Sequence, residues 1–110
     1  MGLMRRGALV PIVQPEAYGK PRPALVIQSD LFNVHPSVTI LPLTSELRDT
    51  PLFRLRVEPS AKNGLHVTSE VMVDKITTIP REKVGDVFGH LEATSLREVE
   101  RLLAVWLGIC

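Results

Sequence analysis

Residues 19–30, GKPRPALVIQSD, combine two closely spaced prolines with a continuous apolar run, and this stretch constrains the fold more than any other. The run at residues 24–27 suits a strand buried on both faces, although periodicity alone leaves a short buried helix open. Pro21 and Pro23 decide between the two, because each proline removes a backbone donor and holds its predecessor in extended geometry. The sequence therefore predicts a core strand over residues 22–28. Arg22 at its start can present a guanidinium to a phosphate, and the alternative is an ordinary solvated residue.

The composition indicates one small domain, residues 1–110, with an aliphatic core. Hydrophobic residues make up 45% and aromatic residues 5%, so Leu, Val and Ile must fill the core. The net charge of +1 creates no general field for nucleic acid, and any polyanion site has to come from local clustering of the 13 Lys and Arg residues. A single cysteine, Cys110, excludes an internal disulfide. With no leader pattern and no apolar stretch of ~20 residues, we expect a soluble, cytoplasmic protein.

The other apolar stretches are short and closely spaced, which is typical of a small β protein. Strands are predicted over residues 8–13, 22–28, 37–43, 52–58, 67–74 and 84–91. The last of them carries two glycines and is predicted to be short or bulged. Pro11 puts the first strand at a sheet edge or a bulge. In the fourth strand, alternation places three side chains inward, those of Phe53, Leu55 and Val57. Residues 29–33 are predicted as a helical or plain turn, and residues 78–82 as a turn with one helical turn after Pro80.

A C-terminal helix over residues 95–107 is the clearest element. Ser95 and Glu98 have the spacing of a capping box, and Gly108 is placed to end the helix. Apolar residues fall on one helical face, namely Leu96, Val99, Leu102, Leu103, Trp106 and Ile109. Trp106 on this face is expected in the core. The pattern predicts a mainly β fold, a small barrel or strongly bent antiparallel sheet with the helix packed on it.

Metal-dependent and nucleotide-driven chemistry has little support in the sequence. The three histidines, His35, His66 and His90, are far apart, and no cysteine or histidine pair has metal-ligand spacing. The acidic residues form no Ca²⁺ or Mg²⁺ loop pattern, and residues 85–89 lack the Lys-Ser/Thr ending of a phosphate-binding loop. We therefore expect no metal and no cofactor.

Phosphate-binding groups stand instead at strand ends. If the strands at residues 22–28 and 37–43 pair antiparallel, Arg22 and Thr44 lie at the same end of the pair, with Ser45 next along the chain. A guanidinium next to a hydroxyl can hold a phosphodiester, as metal-free RNA cleavage requires. The alternative for Thr44 is a turn residue that bonds local backbone. Arginine is a poor base at neutral pH, so the proton acceptor stays open among Glu16, His35 and Asp74.

Several segments, taken in order, point to a known family: Arg6-Gly7, KPRPALVIQSD, LPLTS, Asn63-Gly64-Leu65, VMVDKITTI and a Leu-rich helix ending at Leu107-Gly108. In these segments the chain resembles the MazF/PemK (Kid) toxins of type II toxin–antitoxin pairs. The resemblance implies an SH3-like β-barrel with a C-terminal helix, usually a homodimer. It also implies a metal-independent, sequence-specific endoribonuclease that cleaves single-stranded RNA, commonly mRNA. An antitoxin segment would inhibit it by occupying the RNA-binding site.

Carried over by motif, the family's catalytic arginine falls on Arg22, its catalytic threonine on Thr44, and the aspartate of the later strand on Asp74. Ser45 and Glu16 are further catalytic or RNA-binding candidates. RNA contacts are expected from Lys20, Gln28, Arg48, Arg54 and Lys75. The loop over residues 14–20 is shorter than in many members and lacks their Glu-Gln pair, so base recognition is expected to differ. Thr77 and Met72 stand where members often carry arginine.

Two other functions stay open. The related CcdB-like gyrase poisons share the fold and act through a C-terminal Trp-Gly-Ile, which residues 106–110, WLGIC, echo imperfectly. The retained RP and TS motifs favour the nuclease over the gyrase poison. The third reading is a catalytically inactive SH3-like module that binds RNA or peptide.

Overall fold

A computed structural model describes residues 4–13 and 20–109. These residues form a curled antiparallel sheet and one helix, which confirms the predicted mainly β architecture. The strands are β1 (Ala8–Ile12), β2 (Arg22–Val26), β3 (Ser37–Thr44), β4 (Arg54–Val57), β5 (Ser69–Met72), β6 (Thr77–Pro80) and β7 (Gly89–His90), and the helix is α1 (Ala93–Leu107). Within the described residues, no helix is long and apolar enough to cross a bilayer.

The long strand β3 organises the sheet, whose main order is β4-β5-β3-β2-β1-β7. Its first half pairs with β6, from Ser37 opposite Pro80 to Ile40 opposite Thr77. Its second half pairs with β5 instead, with Leu43 opposite Val71. Pro42, which lacks a backbone donor, lies between the two halves and helps one strand serve two partners. The sheet therefore splits and curls around β3.

Alternation along the strands gives the sheet two apolar faces. One face includes Leu9, Leu25, Leu41 and Val71 and packs against Leu102 of α1. The other includes Val10, Ala24, Val26, Val38 and Ile40, with Val84 and Val87 packed against it. Because β2 is covered on both faces, its continuous apolar run is explained by burial, as the sequence predicts.

The helix ends as predicted, at Gly108 with a left-handed φ of 73°, but begins at Ala93 rather than at residue 95. The predicted capping box is wrong, because Glu98 pairs with Arg101 and the N-cap residue is Glu92. The Glu92 carboxylate accepts hydrogen bonds from Ser60 and Asn63, so tertiary contacts fix the start of the helix. The expectation that Trp106 lies in the core is also wrong, since this residue is 49% exposed. The centroid of its ring lies 5.9 Å from that of Phe53, the residue just before β4.

One predicted segment changes character. The turn predicted over residues 78–82 is replaced by β6 at Thr77–Pro80, because the first half of β3 offers this strand a partner, and the predicted helical turn follows at Arg81–Lys83. Residues 84–91, predicted as a short or bulged strand, form the short β7 and an isolated bridge from Val84 to Ile12. In this segment Gly85 and Phe88 donate backbone hydrogen bonds to Pro11 and Leu9. Pro11 therefore borders irregular backbone on one side, which is the edge-like position that a proline tolerates.

Candidate active site

The pairing of β2 with β3 places Arg22 and Thr44 at one end of the sheet. The ladder matches Ala24 with Pro42, Leu25 with Leu41 and Val26 with Ile40. Arg22 and Thr44 each lie two residues beyond the pair of Ala24 with Pro42. Both residues therefore stand at the same end of the β2–β3 pair.

Arg22 is exposed at the first position of β2, between Pro21 and Pro23. Within the described residues, its guanidinium has no hydrogen-bond or ion-pair partner. The two prolines restrict the backbone on either side, so the stem of the side chain is held while its charged end stays free. A guanidinium in this state can bind two oxygens of an incoming phosphate without first breaking a protein contact.

A cleft of about 390 Å³ opens beside Arg22. Apolar side chains dominate the described part of its wall, among them Pro11, Leu43 and Phe88, and its polar residues include Ser45 and His66. We call this space the Arg22 cleft. A cation, a hydroxyl and an imidazole next to apolar walls suit a ligand that has both a phosphate and a flat ring.

Thr44 is half-buried at the end of β3 and is absent from the described lining of the Arg22 cleft. Its hydroxyl accepts a hydrogen bond from the backbone N–H of Glu46, at 3.0 Å. This is the local turn contact that the sequence leaves open as an alternative. A hydroxyl that accepts one bond keeps its own proton to donate, so the contact orients Thr44 and leaves it able to donate to a ligand.

Glu70 lies directly opposite Thr44 on β5 and is only 2% exposed. Its carboxylate accepts hydrogen bonds from the backbone N–H groups of Arg48 (3.0 Å) and Asp49 (3.3 Å) and from Arg56 Nη2 (3.3 Å). Burial raises the pKa of Glu70, but these hydrogen bonds outweigh it and the pKa is lowered overall. Glu70 therefore fixes the turn that follows Thr44. Our sequence analysis missed it, although a lone acid in an apolar strand was the available signal.

Arg54 and Asp74 face each other beside Glu70 and away from solvent. Arg54 Nε is 3.5 Å from Asp74 Oδ1, and its Nη1 is 4.0 Å from Glu70 Oε1. The side chains of Arg54 and Asp74 are 13% and 16% exposed. This geometry does not favour the predicted RNA contact of Arg54 or a base role for Asp74. It resembles a structural ion pair, and we call Arg54, Arg56, Glu70 and Asp74 the acid–base cluster.

The remaining predicted residues are spread over the surface. Gln28 and His35 lie at the other end of the β2–β3 pair, where the Gln28 amide bonds Ser37, Thr39 and Phe32 and the His35 ring accepts from Ser37. This position separates both from Arg22. Lys20, Arg48 and Lys75 are exposed, and Arg48 also pairs with Glu46. Glu16 lies outside the described residues.

A buried amide holds the part of the wall that carries His66. Asn63 is fully buried, and its Oδ1 accepts from the backbone N–H groups of Ser60 (2.9 Å) and Leu65 (3.0 Å). Gly64 follows with a φ of 69°, and a Cβ there would meet the Phe88 carbonyl oxygen at 2.7 Å. The two wall segments thus touch through their backbones, and a side chain at Gly64 would push them apart.

No three His, Cys, Asp or Glu side chains of the described residues come together as a metal site. The described polar groups of the Arg22 cleft include instead the Arg22 guanidinium and the hydroxyls of Ser45 and Ser69, groups that can bind phosphate directly.

Comparison with known proteins gives the chain its family. A model of the PemK-like, MazF-like toxins of type II toxin–antitoxin systems matches residues 7–107. The chain is 44% identical over 107 residues to a probable endoribonuclease MazF of Mycolicibacterium smegmatis, covering 96% of this chain and 98% of the relative. It is 30% identical over 103 residues to endoribonuclease EndoA of Bacillus subtilis, covering 92% and 87%.

A solved structure agrees with these sequence relatives. A mycobacterial endoribonuclease in complex with its cognate antitoxin superposes with a TM-score of 0.81 at 26% identity, covering 96% of both chains. The family resemblance seen in the sequence is confirmed. The chain belongs to the PemK-like, MazF-like toxins of type II toxin–antitoxin systems.

Proposed function

We propose that this chain cleaves single-stranded RNA without a metal ion, using Arg22 and Thr44. The observation that supports the assignment of these residues is the exposed guanidinium of Arg22, which has no partner among the described residues and lies at the same end of the β2–β3 pair as the Thr44 hydroxyl. The predicted endoribonuclease activity is confirmed by the family and by both sequence relatives. The alternatives of a gyrase poison and an inactive binding module have no such support.

In this mechanism the RNA itself supplies the nucleophile. The ribose 2′-oxygen attacks the adjacent phosphorus, and the bond from phosphorus to the 5′-oxygen breaks. Arg22 binds the non-bridging oxygens, where negative charge grows in the transition state. Thr44 donates a hydrogen bond to the same phosphoryl group and holds it in line for attack. The products are a 2′,3′-cyclic phosphate and a 5′-hydroxyl.

Exposed cations extend the site. Lys20 immediately precedes the Pro21–Arg22 step, and Arg48 follows the turn that Glu70 holds. Lys75 is also exposed. We expect these three to contact RNA phosphates, so that binding weakens as salt is raised. Ser45, in the Arg22 cleft, can bond the sugar or base of the bound nucleotide.

The expected partner besides RNA is an antitoxin protein, as in the mycobacterial complex. We also expect a homodimer and a cytoplasmic location, both of which fit a toxin that acts on mRNA. Expression of the chain alone should stop growth, and co-expression with the neighbouring antitoxin gene should relieve it and yield a stable complex. Harmless expression and the absence of a second protein on purification would contradict this part of the proposal.

The test is cleavage of single-stranded RNA in EDTA by the wild type and by Arg22→Ala and Thr44→Ala. Both substitutions should lower single-turnover cleavage by about 10²–10³, the usual cost of one transition-state hydrogen-bond donor. Arg97→Ala, which removes an exposed arginine from the helix surface, is the matched control and should cleave normally. Mass spectrometry of the products should show 2′,3′-cyclic phosphate ends. An unchanged cleavage ladder in both variants, or cleavage only with added metal, would reject the assignment.

A further inference from the structure

His66 is the one titratable side chain besides Arg22 among the described residues that line the Arg22 cleft. It is exposed, and within the described residues its ring has no hydrogen-bond partner. Asn63 and Gly64 fix the backbone immediately before it. The imidazole therefore stands on a held segment while its ring nitrogens stay available to a ligand.

The proposed cleavage leaves one group unassigned, the acceptor of the 2′-hydroxyl proton. Arg22 does not fill this role, because a guanidinium keeps its proton at neutral pH. The Glu70 oxygens are taken by Arg48, Asp49 and Arg56, and Asp74 is turned toward Arg54. His35 lies at the far end of β3 and already accepts a hydrogen bond from Ser37. Among the described residues that line the Arg22 cleft, His66 alone carries a free nitrogen that can accept a proton as a base.

We propose that His66 is the general base of RNA cleavage, an inference that rests on the function proposed above. Its neutral imidazole takes the proton of the 2′-hydroxyl while the 2′-oxygen forms its bond to phosphorus. The bond from phosphorus to the 5′-oxygen breaks, and the leaving oxygen takes a proton from water. Imidazole suits this step because it exchanges protons close to neutral pH.

The described wall of the cleft offers no competing acid or base. Arg22 on β2 is the one charged side chain of this lining. The parts of the wall from β1, the end of β3, β5 and the segment before β7 contribute Pro11, Leu43, Ser45, Ser69 and Phe88, none of them a carboxylate. No carboxylate of this described wall therefore stands between the His66 ring and a phosphate bound by Arg22.

The experiment compares single-turnover cleavage of a single-stranded RNA by wild type, His66→Gln, His66→Ala and His90→Gln across acidic to neutral pH. His90, exposed on β7 and outside the described lining of the cleft, is the matched control. His66→Gln should cleave about 10²–10⁴-fold more slowly, the usual contribution of a general base. RNA affinity, thermal stability and the His90→Gln rate should stay close to wild type.

Two readouts separate a base from a residue that only shapes the cleft. The wild-type rate should rise from acidic to neutral pH, and this rise should disappear in His66→Gln. Added free imidazole should restore part of the rate to His66→Ala and leave the other variants unchanged. A His66→Gln rate within threefold of wild type, an unchanged pH profile, or no rescue by imidazole would overturn the proposal.

Two further variants assign any failure. Glu16→Gln tests the acid outside the described residues. The role of His66 would be overturned if the rise in rate from acidic to neutral pH disappeared in Glu16→Gln and persisted in His66→Gln. Arg22→Ala separates the two proposals. If Arg22→Ala is inactive and His66→Gln is fully active, only the general base is wrong. If Arg22→Ala cleaves RNA normally, the proposed site itself is wrong.

Discussion

Arginines lie on both sides of Thr44, one on the β2 side and two on the β5 side, and their surroundings differ sharply. On the β2 side, Arg22 is exposed and has no partner among the described residues. On the β5 side, Arg54 and Arg56 share the carboxylates of the acid–base cluster, and Arg54 is largely buried. A cation that is already paired contributes to the fold, whereas an unpaired cation beside an open cleft remains available to a substrate.

The largest expected effect separates activity from stability. Arg22→Ala should reduce cleavage by about 10²–10³ with a change below about 0.5 kcal/mol in the free energy of unfolding. Arg54→Ala should do the opposite, destabilising the fold by about 3 kcal/mol because it leaves the largely buried Asp74 without its cation, while Glu70 keeps Arg56 and the folded fraction still cleaves RNA. Urea unfolding and single-turnover cleavage on the same preparations measure both. Equal losses of stability in the two variants would break the comparison.

Glu70→Gln should have the next largest effect. The substitution keeps the shape but replaces one acceptor oxygen with an NH₂ group that faces backbone donors, so we expect a loss of about 2 kcal/mol. Because the turn after Thr44 is then less well held, cleavage should fall as well, through kcat more than through RNA affinity. Urea unfolding and the kcat/KM split test this, and an unchanged midpoint would show that the turn is held by other contacts.

The smallest effect is a dependence on pH. Because the fold lowers the pKa of Glu70, its contribution to stability is complete above the ordinary pKa of 4.5 and is lost as pH falls through the lower pKa of the folded state. The gap in unfolding midpoint between wild type and Glu70→Gln should therefore close below pH 4.5. Glu98→Gln, at an exposed helical ion pair, is the control and should change the midpoint little at any pH. A gap that stays constant with pH would contradict the role given to the Glu70 charge.

The β2–β3 pair shows how far the sequence could lead. The two prolines and the apolar run of β2 are local signals, and a short connection to β3 favours antiparallel pairing. Together they predict that Arg22 and Thr44 share one end of the pair, which is the geometry that the ladder gives. The end of α1 was predictable for the same reason, because Gly108 acts on the backbone next to it.

The acid–base cluster and the walls of the Arg22 cleft could not be predicted in this way. Alternation along β4 puts Arg54 on the solvent side, but Asp49, Thr50 and Pro51 line the same cavity beside it. The start of α1 depends on contacts from Glu92 to Ser60 and Asn63, roughly thirty residues away in the chain. His66 carries no local signal of its own, and only the folded chain brings it to the cleft of Arg22.

The cleft takes its wall from Pro11 on the first strand through Phe88 just before the last one. During translation, Arg22 is therefore made long before His66 and Phe88, which lie on other parts of that wall. A partly synthesised chain carries Arg22 without an assembled cleft, and so it should leave RNA intact. The order of the elements would make cleavage depend on nearly complete synthesis of the chain.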